Sequence, residues 1–163
     1  VRDLRGNVNT RIRKLQDGEY DAIILACAGL ERLGLEGLIT EVLEPPLWLP
    51  AATQGTIGIQ CRSEDEEVMQ LIEPLRHPDA MLRTRAERLV AAALQGSCQV
   101  PLAVFAIREG DLLRISSLIG MPDGSQVLKA QATGSPDDVE AMSSSVAEDL
   151  LGQGANRIIE SLR

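Results

Sequence analysis

The chain has 163 residues with 44% apolar content, enough to bury a core and too apolar for a disordered segment. Its 16 Lys+Arg against 24 Asp+Glu give a net charge of −8, and Tyr20, Trp48 and Phe105 are its only aromatic residues. That balance argues against a nucleic-acid-backbone binder or a base-stacking surface, and the nine-residue apolar run Ala22–Leu30 is too short to span a bilayer. His77 is the single histidine, and Cys27, Cys61 and Cys98 lie far apart with no CxxC, so neither a His/Cys zinc site nor a His-based triad is expected. No metal site is predicted. An unpaired cysteine set without a framework, and no leader-like opening, point to the cytoplasm.

Val1–Leu4 reads as the end of a strand. Arg5-Gly6-Asn7 makes a turn, and Asn7 caps a helix with Val8, Ile12 and Leu15 on one side and Gly18 at its end. Asp21–Ala26 is a continuous apolar run, the pattern of a strand buried on both faces of a parallel sheet, and completes a βαβ unit. Cys27–Leu33 is a short helix closed by Gly34, and a proline-punctuated link follows at 44–50. Thr56–Arg62 alternates, with Ile57, Ile59 and Cys61 on one face, and predicts a strand. A capping box at Ser63–Glu66 opens a helix carrying Val68, Leu71, Ile72 and Leu75. His77-Pro78 breaks it, and Asp79–Gln95 is a longer helix with Leu82, Ala86, Leu89 and Ala93 inward.

The last third changes character. Gln99–Ile107, Leu112–Ile119 and Ser125–Ala132 are three strands joined by hairpin turns at 108–111 and 121–124. Ser135-Pro136-Asp137-Asp138 starts a helix with Val139, Met142, Val146 and Leu150 inward, and a terminal helix carries Ile158, Ile159 and Leu162. Residues from about 78 thus form a complete α+β module, whereas 1–62 look like part of an α/β sheet. The chain starts at Val1 and reads as a piece of something longer.

The chemistry sits in two places. A strand entering a glycine turn and then a helix presents free N–H groups, and Arg5 and Arg11 would fit this turn to carboxylates or phosphates. The same pattern also describes a solvated helix start with two surface arginines. Arg32 either points into a cleft or pairs with Glu31 or Glu36. Cys27 and Cys61 read as small core residues, but Cys98 lies in the small, polar stretch Gln95–Gln99. Nearby Arg76, Arg83, Arg85 and Arg88 would favour its thiolate, making it an attachment point or nucleophile; an inert loop cysteine is the other reading. Gln54 follows the proline-rich link and lines a crevice. Convincingly paired carboxylates are absent.

Several strings together resemble one family. They are Leu4–Arg11, Gly18–Ala26, Ala28-Gly29-Leu30, Arg32–Leu35, Leu49-Pro50-Ala51 with Gln54-Gly55, Ala86-Glu87-Arg88 and Gly96–Pro101. In this order they are similar to porphobilinogen deaminase, also called hydroxymethylbilane synthase. The resemblance implies a partial periplasmic-binding-protein-like α/β lobe, followed by a three-stranded antiparallel sheet with helices on one face. Residues 1–50 would end domain 2, 51–77 would return to domain 1, and 78–163 would form domain 3. It further implies that this is the C-terminal half of a longer enzyme. Its reaction joins four porphobilinogen units, with loss of ammonia, into a linear tetrapyrrole on the way to porphyrins and heme.

By the same resemblance, Cys98 carries a covalent dipyrromethane cofactor through a thioether. Arg5, Arg11 and Arg32 bind cofactor carboxylates, and Arg11, Arg32 and Gln54 hold the porphobilinogen and growing polypyrrole. The family's catalytic aspartate falls outside these 163 residues, so the expected partner is the missing N-terminal half, in cis or as a companion chain. The alternative is a non-catalytic remnant that binds tetrapyrrole-like polycarboxylates or a partner chain. Ser97 stands where the family usually has a second glycine, and Thr53 replaces a common glycine before Gln54.

Overall fold

The computed structural model describes residues 2–95 and 100–161. The chain divides into two compact units, Val1–Glu44 and Pro45–Arg163.

In the first unit, α1 spans Val8–Gln16 and α2 spans Cys27–Arg32, followed by a single 3-10 turn at Glu36–Leu38. Asn7 caps α1 as its side chain type predicts, accepting from the Thr10 amide, and the chain leaves through Gly18 at φ 78°. Ile12 and Leu30 are its buried apolar side chains among the described residues. The strand expected at Asp21–Ala26 does not form. The segment pairs with no other strand, and Ile24 is 67% exposed. A strand is defined by a neighbour that takes its backbone hydrogen bonds, and an apolar run alone supplies none.

In the second unit, α3 spans Glu66–Ile72, a 3-10 turn covers Glu73–Leu75, and α4 runs from Pro78 to Ala93. The strands β1 (Leu102–Glu109), β2 (Leu112–Gly120) and β3 (Val127–Gly134) form one antiparallel sheet in the order β1-β2-β3. A 3-10 turn at Pro136–Asp138 leads into α5 (Val139–Gly152), and α6 covers Ala155–Glu160. The mixed α/β architecture expected from the sequence is therefore present, with the three-stranded antiparallel sheet in its last third.

Alternation puts Val104, Ala106, Leu113, Ile115, Ile119 and Ala130 on one sheet face, where they meet α4, α5 and α6 in a continuous core. Two serines share that interior. Ser117 Oγ donates to the Ala103 carbonyl (3.0 Å) and Ser143 Oγ to the Ala86 carbonyl (3.3 Å), so neither hydroxyl is left unsatisfied. The inward face of α5 is Val139, Met142, Val146 and Leu150, as its spacing predicts.

The structure departs from four local expectations. Thr56–Arg62 is extended but unpaired, with Ile57 87% exposed, for the same want of a neighbouring strand. The cap of α3 is Asp65 rather than a box begun by Ser63, because the Asp65 carboxylate reaches the Val68 amide (3.2 Å). The buried stripe of α4 is Ala86, Val90 and Leu94, one position round from the expected Leu89 and Ala93, which leaves Ala93 exposed. Cys27 and Cys61 are only half-buried free thiols, since the strands expected to enclose them do not form.

Candidate functional site

The first candidate site is the start of α1. Gly6 adopts φ +121°, and a Cβ there would lie 2.9 Å from Thr10 Cγ2, so the turn requires glycine on both counts. Asn7 Oδ1 accepts from both the backbone N–H and the hydroxyl of Thr10, at 2.9 Å each. The approach to this turn is pinned by Tyr20, whose hydroxyl donates to the Asp3 carbonyl at 2.7 Å. Arg11 folds back, its Nε donating to the Gly6 carbonyl at 2.8 Å, and its terminal N–H groups stay unused among the described residues.

Arg5 is exposed, and no hydrogen bond or ion pair engages it among the described residues. The same is true of Arg32 at the end of α2, which pairs with neither Glu31 nor Glu36. α2 lies against α1: a Cβ at Gly29, one turn before Arg32, would sit 3.8 Å from Val8 Cγ2. Arg5 and Arg11 thus flank the start of α1, and Arg32 extends the helix that packs on that start. In a chain of net charge −8, cations left without carboxylates have free capacity for an external anion. This donor set fits a ligand bearing several carboxylates.

The second candidate site is in the other unit. Gln54 is exposed and forms part of the wall of a cavity of about 890 Å³, with Ile57, His77, Arg83, Glu87 and Phe105. Arg83 lies over the Phe105 ring, 5.6 Å from its centroid, and its Nε donates to the Ala106 carbonyl at 2.7 Å. Glu87 is 6% exposed, and its carboxylate accepts from the Thr53 amide (2.6 Å) and the Ala106 amide (2.9 Å). Cys98, the expected attachment point, lies outside the described residues, between the end of α4 and the start of β1.

Two family models match this sequence. "Porphobilinogen deaminase, dipyromethane cofactor binding domain" covers residues 1–70, and "Porphobilinogen deaminase, C-terminal domain" covers residues 81–152. The chain belongs to the porphobilinogen deaminase family. Its members are transferases of tetrapyrrole biosynthesis that use a dipyrromethane cofactor and act on porphobilinogen. No helix among the described residues is long and apolar enough to cross a membrane.

Reading the sequence missed Glu87, which appeared there only inside a string shared with the family. Its signal was an acid in register with an apolar stripe: Glu87, Val90 and Leu94 recur at helical spacing on α4. A buried acid must find donors, and here they are two backbone amides distant in sequence, which no local pattern encodes.

Proposed function

We propose that these residues form the cofactor-carrying and carboxylate-binding portion of a hydroxymethylbilane synthase. The observation that carries the reading is the set of arginines at the start of α1 and the end of α2: among the described residues Arg5 and Arg32 have no acidic partner and Arg11 holds only a carbonyl. Each pyrrole of the chain being built brings an acetate and a propionate, and a guanidinium fork pairs with such groups bidentately. Arg5, Arg11 and Arg32 would hold carboxylates of the cofactor, and Arg11, Arg32 and Gln54 those of the substrate and growing polypyrrole. Cys98 would hold the dipyrromethane by a thioether, and the bound group supplies the free pyrrole end to which new units are joined. The two family matches, which break between residues 70 and 81, support setting a domain 3 at 78–163 apart from residues 1–77, of which 1–50 would end domain 2 and 51–77 would return to domain 1.

Among the described residues the cavity beside Gln54 has two carboxylates, and both are engaged: Glu73 pairs with Arg76. The buried Glu87 already spends both oxygens on backbone amides. We therefore assign proton movement at the pyrrole nitrogen and the departing amine to an aspartate outside these residues, on an N-terminal half supplied in cis or by a companion chain, without which these residues would not turn over substrate. The exposed apolar side chains Ile57, Leu71 and Leu75 (87%, 71% and 68%) give such a partner a surface to cover. The same surface supports a second reading, a non-catalytic remnant that binds polycarboxylates or a partner chain. The free thiols of Cys27 and Cys61 support a reducing, cytoplasmic setting.

The intact mass of the purified, reduced protein tests the assignment. An added mass of two linked pyrroles, located on Cys98 and lost in Cys98→Ser, is the expected result. An unmodified chain from cells that make porphobilinogen would favour the remnant, and pyrroles retained in Cys98→Ser would overturn the cysteine assignment.

A further inference from the structure

Thr53 is a non-glycine residue at φ 62°, in the left-handed region where a β-branched side chain is strained. The turn around it is closed by its own backbone: Gln54 N–H donates to the Ala51 carbonyl (3.1 Å) and Thr56 N–H to the Thr53 carbonyl (3.0 Å). Ala51 in turn makes an isolated antiparallel bridge to Ala103 of β1. These local bonds shape the turn, and one bond ties Thr53 itself to the rest of the unit, the 2.6 Å contact of its amide with buried Glu87.

Glu87 has a second hold. Its other oxygen takes the Ala106 amide, while Arg83, one helical turn earlier, takes the Ala106 carbonyl. Ala106 sits on the edge strand of the sheet, so the two side chains of α4 satisfy both outward polar groups of one edge peptide position. The carboxylate therefore joins α4, β1 and the Thr53 turn at a single buried point. α4 and β1 are also the elements that flank the segment containing Cys98.

We infer that Glu87 is a positioning residue: its carboxylate clamps the strained Thr53 turn and thereby fixes Gln54 at the cavity wall. The clamp explains how this chain holds a threonine at a left-handed position suited to glycine. Its functional consequence rests on the reading of Gln54 as a substrate contact, but the clamp itself does not.

The test uses Glu87→Gln, Thr53→Gly, the double variant and Gln54→Ala, each in the complete, cofactor-loaded enzyme. Glutamine replaces one accepting oxygen with an NH2 group that only donates, so it must oppose an N–H to one of the two amides. Hydrogen exchange of a peptide covering residues 51–56 should quicken about tenfold or more in Glu87→Gln, the loss expected for one charge-assisted bond. Adding Thr53→Gly should recover most of that protection, because glycine holds the turn without strain. KM for porphobilinogen should rise in Glu87→Gln, with kcat nearly unchanged, and fall back in the double variant.

Unchanged exchange at 51–56 in Glu87→Gln, or no recovery with Thr53→Gly, overturns the clamp. If Glu87→Gln does not fold, folding restored in the double variant supports it and failure to restore folding overturns it. A KM unaffected by Gln54→Ala would instead end the reading of Gln54, while the exchange result still decides the clamp.

Discussion

Gly6 shows how one residue type can set the turn of a candidate binding site. Any side chain there would meet Thr10 at 2.9 Å and would have to adopt φ +121°. Gly6→Ala should therefore cost about 1–3 kcal/mol of local strain and shift the start of α1. The Asn7–Thr10 hydrogen bonds would loosen with it, so the Thr10 amide should lose exchange protection and polypyrrole affinity should fall. Unaltered Thr10 protection would mean that the turn tolerates a side chain and is not fixed by glycine. This feature was legible in the sequence because a glycine turn and an Asn cap act over four residues. The Arg11 contact with the Gly6 carbonyl was not, since a long side chain has many partners within reach and only the folded backbone selects one. Glu87 was hidden for a stronger reason: its partners Thr53 and Ala106 lie 34 and 19 residues away.

At the scale of elements, the three strands and α5 could be read because each carries its own evidence: alternation, hairpin turns and a cap. The segments 21–26 and 56–62 have strand-like composition, yet strands are made by partners, and among the described residues none lies beside them. α3 illustrates a smaller misreading, with the cap moved from Ser63 to Asp65. Two contacts hold the Asp65 carboxyl below its ordinary value of 3.8, first the Arg62 side chain and then the Val68 amide. A depressed carboxyl stabilises the folded state in full above its unfolded value, and that support is lost as pH falls through the lower folded value. The Val68 amide should thus stay protected down to about pH 4 and lose protection below it. Asp65→Asn should remove this acid step while keeping the cap, because Asn also accepts from the helix N–H groups. An acid step that persists in Asp65→Asn would place its origin in another group.

Across the whole molecule, stability is unevenly distributed. One continuous core joins α4, the sheet, α5 and α6, whereas residues 2–44 bury only Ile12 and Leu30 among the described apolar side chains. Little buried area means a low local cost of opening, so amides of α1 and α2 should exchange on the order of a hundredfold faster than those of β2 and α5. The same looseness makes the arginine site a sensitive reporter. A ligand that binds only the closed form stabilises it by about 2.7 kcal/mol at a hundred times its Kd. A linear dipyrrole bearing acetate and propionate groups should therefore slow exchange in α1 and α2 and leave β2 unchanged. Replacing Arg11 with Leu should weaken that protection, since it removes a cation whose terminal N–H groups are unused among the described residues and can take a carboxylate. Protection that spreads evenly over β2, or that survives when Arg5, Arg11 and Arg32 are all replaced, would place the carboxylate site elsewhere. In that case the unpaired cations of the first unit would be no more than charges facing solvent.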